Sequence, residues 1–315
     1  MGKCSGGEVL TRSVIMFPGQ GAQKVGMGRE NFENHPVARE IFQQADEILG
    51  FDLSRICFEG PEEELERTDV SQPAILVSSV ASLEAHRAAG GDFEDPGVTL
   101  GLSLGEYTAL WYAGVLSFED AVRLVRLRGQ CMQEACEKIS SGMLSVIGLD
   151  RIALEAVAQK AAEGEVLQLA NFLAPKQIVL SGAAGALERA SVLAQEAGAR
   201  KTVPLAVAGA FHSELMRSAQ ERLAAEVDRI EMNVPRIPVM VNVDAVLLSD
   251  VAEIRSALVR QLTGAVYWVD SMRQLVAQGW SSFYEVGPGR VLSGLLKRVD
   301  RKVTSISIDN VDSGT

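Results

Sequence analysis

The chain has 315 residues, 47% of them hydrophobic, enough to fill one large core, or a core with a smaller appended unit, without covalent staples. Its 41 acidic and 30 basic side chains leave a formal net charge of −11, which argues against a general nucleic-acid surface, because such binding relies on Lys and Arg neutralising phosphates. No window approaches the roughly 18 uninterrupted apolar residues of a spanning helix, so no membrane association is expected. Cys4, Cys57, Cys131 and Cys136 make no C-x-x-C pair and suggest neither a zinc site nor a disulfide framework. The opening MGKCSGGEVLTR carries no apolar run, and Gly6 stands where a myristoylation signal needs Ser or Thr. A soluble protein of the reducing cytoplasm is the expectation.

In chain order, SVIMF (13–17) reads as a strand running into the loop PGQGAQKVGMG, followed by helices from Pro36 to about Leu49 and from about Pro73 to Ala89. VTLGL (98–102) is the next strand; the segment from Leu104 to Val115 and that from Phe118 to about Lys138 read as helices. From about Ser141 to Val207 the rhythm changes to strand, helix, strand, strand, helix, strand, the βαββαβ order of a ferredoxin-like unit. The earlier alternation then resumes with IPVMVNV, two helices, SSFYEVG, a helix and VTSISI, while the terminal DNVDSGT reads as a frayed end. The expected fold is α/β, with a mostly parallel sheet in a discontinuous core domain (1–138 and 208–315) and an inserted ferredoxin-like subdomain (139–207).

The sharpest chemical signal is Gly101-Leu102-Ser103-Leu104-Gly105, a G-x-S-x-G between an expected strand and an expected helix. A nucleophile elbow needs that context, because its glycines let backbones crowd together while the turn lifts the serine hydroxyl over the sheet end. A chance match in a glycine-rich chain is the alternative. Serine is a weak nucleophile without a base, and the chain has three histidines. His35 reads as a solvent-facing turn residue before Pro36 and His86 as an exposed helical position. His212, at a loop edge in AVAGAFHSELM, is left as the candidate base. Arg128 lies near an apolar helix side made by Ala121, Val122, Leu124 and Val125, where an arginine either snorkels or pairs with an anion; the alternative is a solvated face shared with Arg123 and Arg126. PGQG after the first strand has neither G-x-G-x-x-G nor a G-K-[ST] ending, so nucleotide binding is not expected.

Taken together, FPGQGAQ (17–23), SQPAILVSS (71–79), GLSLGEYTAL (101–110), RLRGQCMQEA (126–135), AFHSELM (210–216), VRQL (259–262) and YEVGPGRVLSGLLKR (284–298) resemble the malonyl-CoA:acyl carrier protein transacylases and the acyltransferase domains of polyketide synthases. The resemblance runs from about Val14 to about Ile308. It implies a hydrolase-like α/β core with a ferredoxin-like insert, acylation of Ser103, His212 as its base, and an oxyanion hole from the amides of Gln20 and Leu104. It further implies that the main-chain carbonyl of Gln261 holds the histidine, that Arg128 grips the malonyl carboxylate, that Phe211 crowds a branched acyl group, and that Asn171 lines the site. The implied substrates are malonyl-CoA and the phosphopantetheine thiol of holo acyl carrier protein, with no metal and no tightly bound cofactor. An acidic carrier would dock on a local basic patch, for which Arg290, Lys297, Arg298, Arg301 and Lys302 are candidates. Two departures stand out: Leu102 occupies a place where the family usually has His, and ANFLAP lacks the polar residue common after ANF. The resemblance implies transfer in fatty acid biosynthesis, with a stand-alone polyketide acyltransferase as the alternative. A carboxylesterase or thioesterase would leave Arg128 unexplained, and Ser103, His212 and Arg128 together argue against a non-catalytic scaffold.

Overall fold

The computed structural model describes residues 12–93 and 95–311; Cys4, the N-terminal segment before residue 12 and the last four residues of DNVDSGT lie outside them. The first part of the chain comprises β1 (Ser13–Phe17), α1 (Arg29–Asn34), α2 (Pro36–Leu49), α3 (Leu53–Glu59), α4 (Glu62–Glu66), α5 (Thr68–Ala88), β2 (Pro96–Gly101), α6 (Gly105–Tyr112) and α7 (Phe118–Cys136). A second run follows with β3 (Ser141–Ile147), α8 (Arg151–Ala162), β4 (Leu167–Ala174), β5 (Gln177–Ala183), α9 (Ala184–Glu196) and β6 (Lys201–Pro204). After a 3₁₀ turn at Glu214–Met216 come α10 (Arg217–Val227), β7 (Val239–Val241), β8 (Val246–Leu248), α11 (Val251–Arg260), α12 (Trp268–Ala277), β9 (Ser282–Val286), α13 (Val291–Val299) and β10 (Thr304–Ile308).

Six strands form one sheet in the order β10-β9-β1-β2-β7-β8, parallel except for the β7–β8 hairpin at its edge. All five residues of β1 are buried, because a central parallel strand is covered on both faces. Its alternation separates two apolar clusters: Ile15 and Phe17 face the helical layer of α2, α5 and α7, whereas Val14 and Met16 join Trp268 and Met272 of α12 and Leu292 and Leu296 of α13. Strands β3 to β6 make a separate antiparallel sheet in the order β4-β5-β3-β6, with its own cluster of Leu144, Val146, Leu154, Ile178 and Leu180 beneath α8 and α9. The small sheet is tied to the segment between α11 and α12, where Phe172 of β4 donates its amide to the Val266 carbonyl and Val266 donates to Ala170, at 2.9 and 2.8 Å.

Helix α5 begins at Thr68, five residues before the boundary that Pro73 suggests from sequence. Proline has no N–H to give the carbonyl of Asp69, and a hydrogen bond from Arg126 of α7 satisfies that carbonyl instead. From Thr68 to Leu83 every residue of α5 is buried. Helix α7 packs closely against it at Gly129, where a Cβ would stand 2.6 Å from the Thr68 carbonyl oxygen. That close approach brings Gln72 of α5 within reach of Arg128.

Candidate active site

Strand β2 ends in the elbow that the G-x-S-x-G spacing predicts. Ser103 has φ +51°, a left-handed conformation that crowds the Cβ of any residue but glycine. The turn is tight enough that a Cβ on Gly101 would lie 1.9 Å from the Gly105 carbonyl carbon, and one on Gly105 would lie 2.1 Å from the Phe17 carbonyl oxygen. Both flanking glycines are therefore required by backbone packing. The hydroxyl is lifted into a cavity of about 130 Å³ lined by Gln20, Leu102, Met132, Asn171, Phe211 and His212, among others.

His212 is brought to the serine from the other side of the sequence, with Nε2 2.8 Å from Ser103 Oγ and Nδ1 2.8 Å from the Gln261 carbonyl oxygen. A carbonyl can only accept, so Nδ1 carries the proton and Nε2 presents its lone pair to the serine O–H. Burial, reinforced by the nearby Arg128 charge, pushes the His212 pKa down to about 4, so the ring is a neutral acceptor at physiological pH. Its loop, also at positive φ (+58°), is tied by two hydroxyls: Ser181 Oγ donates to the Phe211 carbonyl at 2.6 Å and Ser213 Oγ to that of Ala210 at 2.7 Å.

Arg128 is 1% exposed. It falls on the buried stripe Ala121, Val125, Arg128, Met132, Ala135 of α7, while Arg123 pairs with Glu119 in solvent and Arg126 with Asp69, so the solvated-face alternative does not hold for position 128. Its guanidinium donates to Gln72 Oε1 (2.7 Å), to Ser103 Oγ and to Gln261 Oε1 (3.0 Å each), and lies 5.3 Å from the Tyr107 ring centre. Burial lowers its pKa, yet a guanidinium keeps its proton, so a cation is held beside the Ser103 hydroxyl by neutral oxygens. A carboxyl close by is Glu106, 1% exposed, whose pKa burial raises to about 7 against the opposing pull of the Asn242 amide, Gln261 and Arg128.

The other residues that the motifs point to also take their places around this centre. Gln20 is half-buried at the cavity mouth and Leu104 is buried at the start of α6; among the described hydrogen bonds neither amide has an acceptor, as an oxyanion-binding pair requires. Gln261 does more than its carbonyl alone: its side chain accepts from Arg128 and donates to the Ser103 carbonyl at 3.0 Å. Asn171 is 8% exposed and Phe211 5%, both against the cavity. Leu102 offers the cavity an apolar side chain.

The other two histidines depart from expectation. His35 is 7% exposed, its Nε2 bonded to the Val311 carbonyl at 3.0 Å, because the C-terminal segment after β10 covers it. His86 is half-buried against Phe93, and burial lowers its pKa. Neither bonds Ser103 or lines its cavity. Nothing in the sequence pattern singles out Gln72, Glu106 or Asn242, although the first two lie inside segments that carry the family resemblance.

The acyl transferase domain model matches residues 14–292, most of the chain. The chain belongs to this family. It is 43% identical to the malonyl CoA-acyl carrier protein transacylase of Bacillus subtilis (strain 168) over 305 residues, 96% of this chain and 95% of the relative. An acyl carrier protein S-malonyltransferase from Vibrio cholerae O1 biovar eltor superposes with TM-score 0.90 at 41% identity, covering 96% of this chain and 98% of that one. A malonyl-transacylase solved in complex with its type II PKS acyl-carrier protein superposes with TM-score 0.92 at 39% identity, covering 96% and 97%. No helix of this acyl transferase chain, among the described residues, is long and apolar enough to cross a membrane.

Proposed function

We propose that the protein transfers a malonyl group from malonyl-CoA to the phosphopantetheine thiol of holo acyl carrier protein, in fatty acid biosynthesis in the cytoplasm, through an ester on Ser103. The observation that carries this reading is a buried guanidinium whose Nη2 lies 3.0 Å from the serine hydroxyl, in a chain whose relatives are malonyl transacylases. His212 Nε2 takes the Ser103 proton as Oγ attacks the thioester carbonyl; the amides of Gln20 and Leu104 receive the oxyanion. Collapse of the tetrahedral adduct breaks the carbon–sulfur bond, and the imidazolium returns the proton to the departing coenzyme A sulfur. The carrier thiol then gives its proton to His212, attacks the ester and restores Ser103. The Gln261 carbonyl holds the ring in one tautomer throughout, in the place an aspartate takes in hydrolase triads.

Arg128 selects the acyl group. A malonyl carboxylate meets the planar fork in two charge-assisted hydrogen bonds, whereas an uncharged acyl group would leave a buried cation with neutral partners only. Phe211 and Asn171 bound the acyl pocket, and no tightly bound cofactor or metal enters the scheme. A hydrolase of neutral esters has no use for the buried arginine. In this reading the chain divides into a hydrolase-like core (1–138 and 208–315) and a ferredoxin-like subdomain (139–207), supported by an antiparallel sheet that lies wholly between Ser141 and Pro204. The exposed Arg290, Lys297, Arg301 and Lys302 form the carrier-docking patch; Arg298 beside them bonds Gln177 and ties α13 to the subdomain. The likeness to a transacylase bound to a type II PKS carrier supports a polyketide carrier as the second reading of the partner.

Intact-mass measurement after brief mixing with malonyl-CoA tests the proposal. Wild type gains one malonyl group and Ser103→Ala none, and holo carrier protein clears the adduct far faster than water does. An adduct cleared equally fast by water would make the protein a hydrolase.

A further inference from the structure

The amide of Ser103 is not available to substrate, because it is already spent on a side chain. Ser103 N–H donates to Asn242 Oδ1 at 2.6 Å, and Asn242 Nδ2 donates to the Gly101 carbonyl at 2.7 Å. One carboxamide thus bridges the turn, accepting from the peptide on one side of Leu102 and donating to the peptide on the other. Asn242 is 2% exposed and is itself held at both backbone groups: its N–H donates to Glu106 Oε2 at 2.8 Å and its carbonyl accepts from the Tyr267 amide at 2.9 Å. Every hydrogen-bonding group of the residue except the second Nδ2 proton is therefore committed, and two of those bonds close the elbow. A left-handed serine is strained, and rotation of either bridged peptide would relax it while swinging Oγ away from His212 and Arg128.

We infer that Asn242 is a positioning residue of this acyl transfer, a strap just past the end of β7 that holds Ser103 in its left-handed turn and directs the next free amide, that of Leu104, at the oxyanion. Gln261 Nε2 completes the arrangement by binding the Ser103 carbonyl, which belongs to the same peptide as the Leu104 N–H. The inference rests on the proposed transfer for its substrate, but the geometry of the elbow does not depend on which acyl group arrives.

Asn242→Ala and Asn242→Asp test it by single-turnover malonylation, with phosphonylation of Ser103 by a fluorophosphonate as a readout that needs the elbow but no malonyl thioester. Asn242→Ala slows both reactions about 100-fold while the malonyl-CoA KM stays within about twofold, as expected when only an interaction of the transition state is lost. In Asn242→Asp the carboxylate keeps the acceptor for Ser103 N–H and loses the donor to Gly101. The titratable group bonded to it is Glu106 on α6, which in turn feels Arg128 on α7 and Asp244 between β7 and β8, the latter paired with Arg260 at the end of α11; His212 reaches the same elbow through Ser103. Burial beside Glu106 raises the pKa of the introduced carboxyl, and acid supplies the missing donor proton, so the ratio of variant to wild-type rate rises as pH is lowered from about 7.5 to about 5.5. A merely structural loss would leave that ratio flat. A rate for Asn242→Ala within twofold of wild type, or a pH-independent ratio for Asn242→Asp in both reactions, would overturn the inference. Failure of wild type to take malonyl while phosphonylation follows the expected pattern would overturn the substrate reading alone.

Discussion

Ser103 and His212 occupy the same rare backbone region, at φ +51° and +58°, yet the two loops are held there by different means. At the elbow, backbone presses on backbone: Gly101 and Gly105 meet neighbouring main-chain atoms so closely that no side chain fits. At the base loop, the positions are fixed by polar side chains and carbonyls from elsewhere, Ser181 on β5 and Gln261 after α11 among them. The glycine requirement of the first device is written within the five-residue motif, although Phe17 of β1 and the Asn242 carboxamide complete it from elsewhere; the second device is spread across much of the chain. Loss of an elbow glycine should therefore show as a failure to fold, whereas loss of a polar tie, at the His212 loop or at Asn242, should cost chemistry in a protein that still folds.

The largest effect in that comparison belongs to Gly101→Ala. Its Cβ would collide with main chain that has no free rotamer to yield, so destabilisation of about 3 kcal/mol or more is expected, read as a fall in Tm or in the yield of folded protein. A variant with wild-type Tm and activity would show that the elbow has slack. A smaller effect, on chemistry alone, comes from pH. Because burial and Arg128 depress the His212 pKa to about 4, the imidazole stays an unprotonated base until well below its ordinary titration range, and the acid limb of kcat/KM for malonylation should fall near pH 4. An acid limb near pH 6.5 would mean that the ring is solvated, and would break the picture of a buried loop tied by distant groups.

The same contrast explains which features are legible in the sequence. The strand-serine-helix context, the boundaries of α2, and the order of the small sheet's elements along the chain are local patterns, and each is found where its residues suggest. The burial of Arg128 is only half local: the apolar stripe of α7 points to it, but the partners that make a buried cation tolerable, Gln72 and Gln261, come from α5 and from the end of α11. Asn242 carries no local signal at all, since an asparagine after a short apolar strand looks like any turn residue until Ser103 is folded against it. His35 reads as solvent-facing, and is not, because its cover, the Val311 carbonyl, arrives from 276 residues away. Likewise α5 starts earlier than Pro73 suggests because a side chain of another helix takes over the carbonyl that proline cannot serve.

The central claim is that a buried arginine beside the nucleophile reads the carboxylate of the acyl group. The most direct test is the rate of Ser103 acylation by malonyl-CoA and by acetyl-CoA, in wild type and in Arg128→Ala. Wild type should strongly prefer malonyl, and the variant should lose about 100-fold or more of its malonylation rate while gaining relative reactivity toward acetyl-CoA, as removal of a charge-assisted pair at a buried site requires. An Arg128→Ala enzyme that keeps the wild-type ratio of malonyl to acetyl would contradict the account.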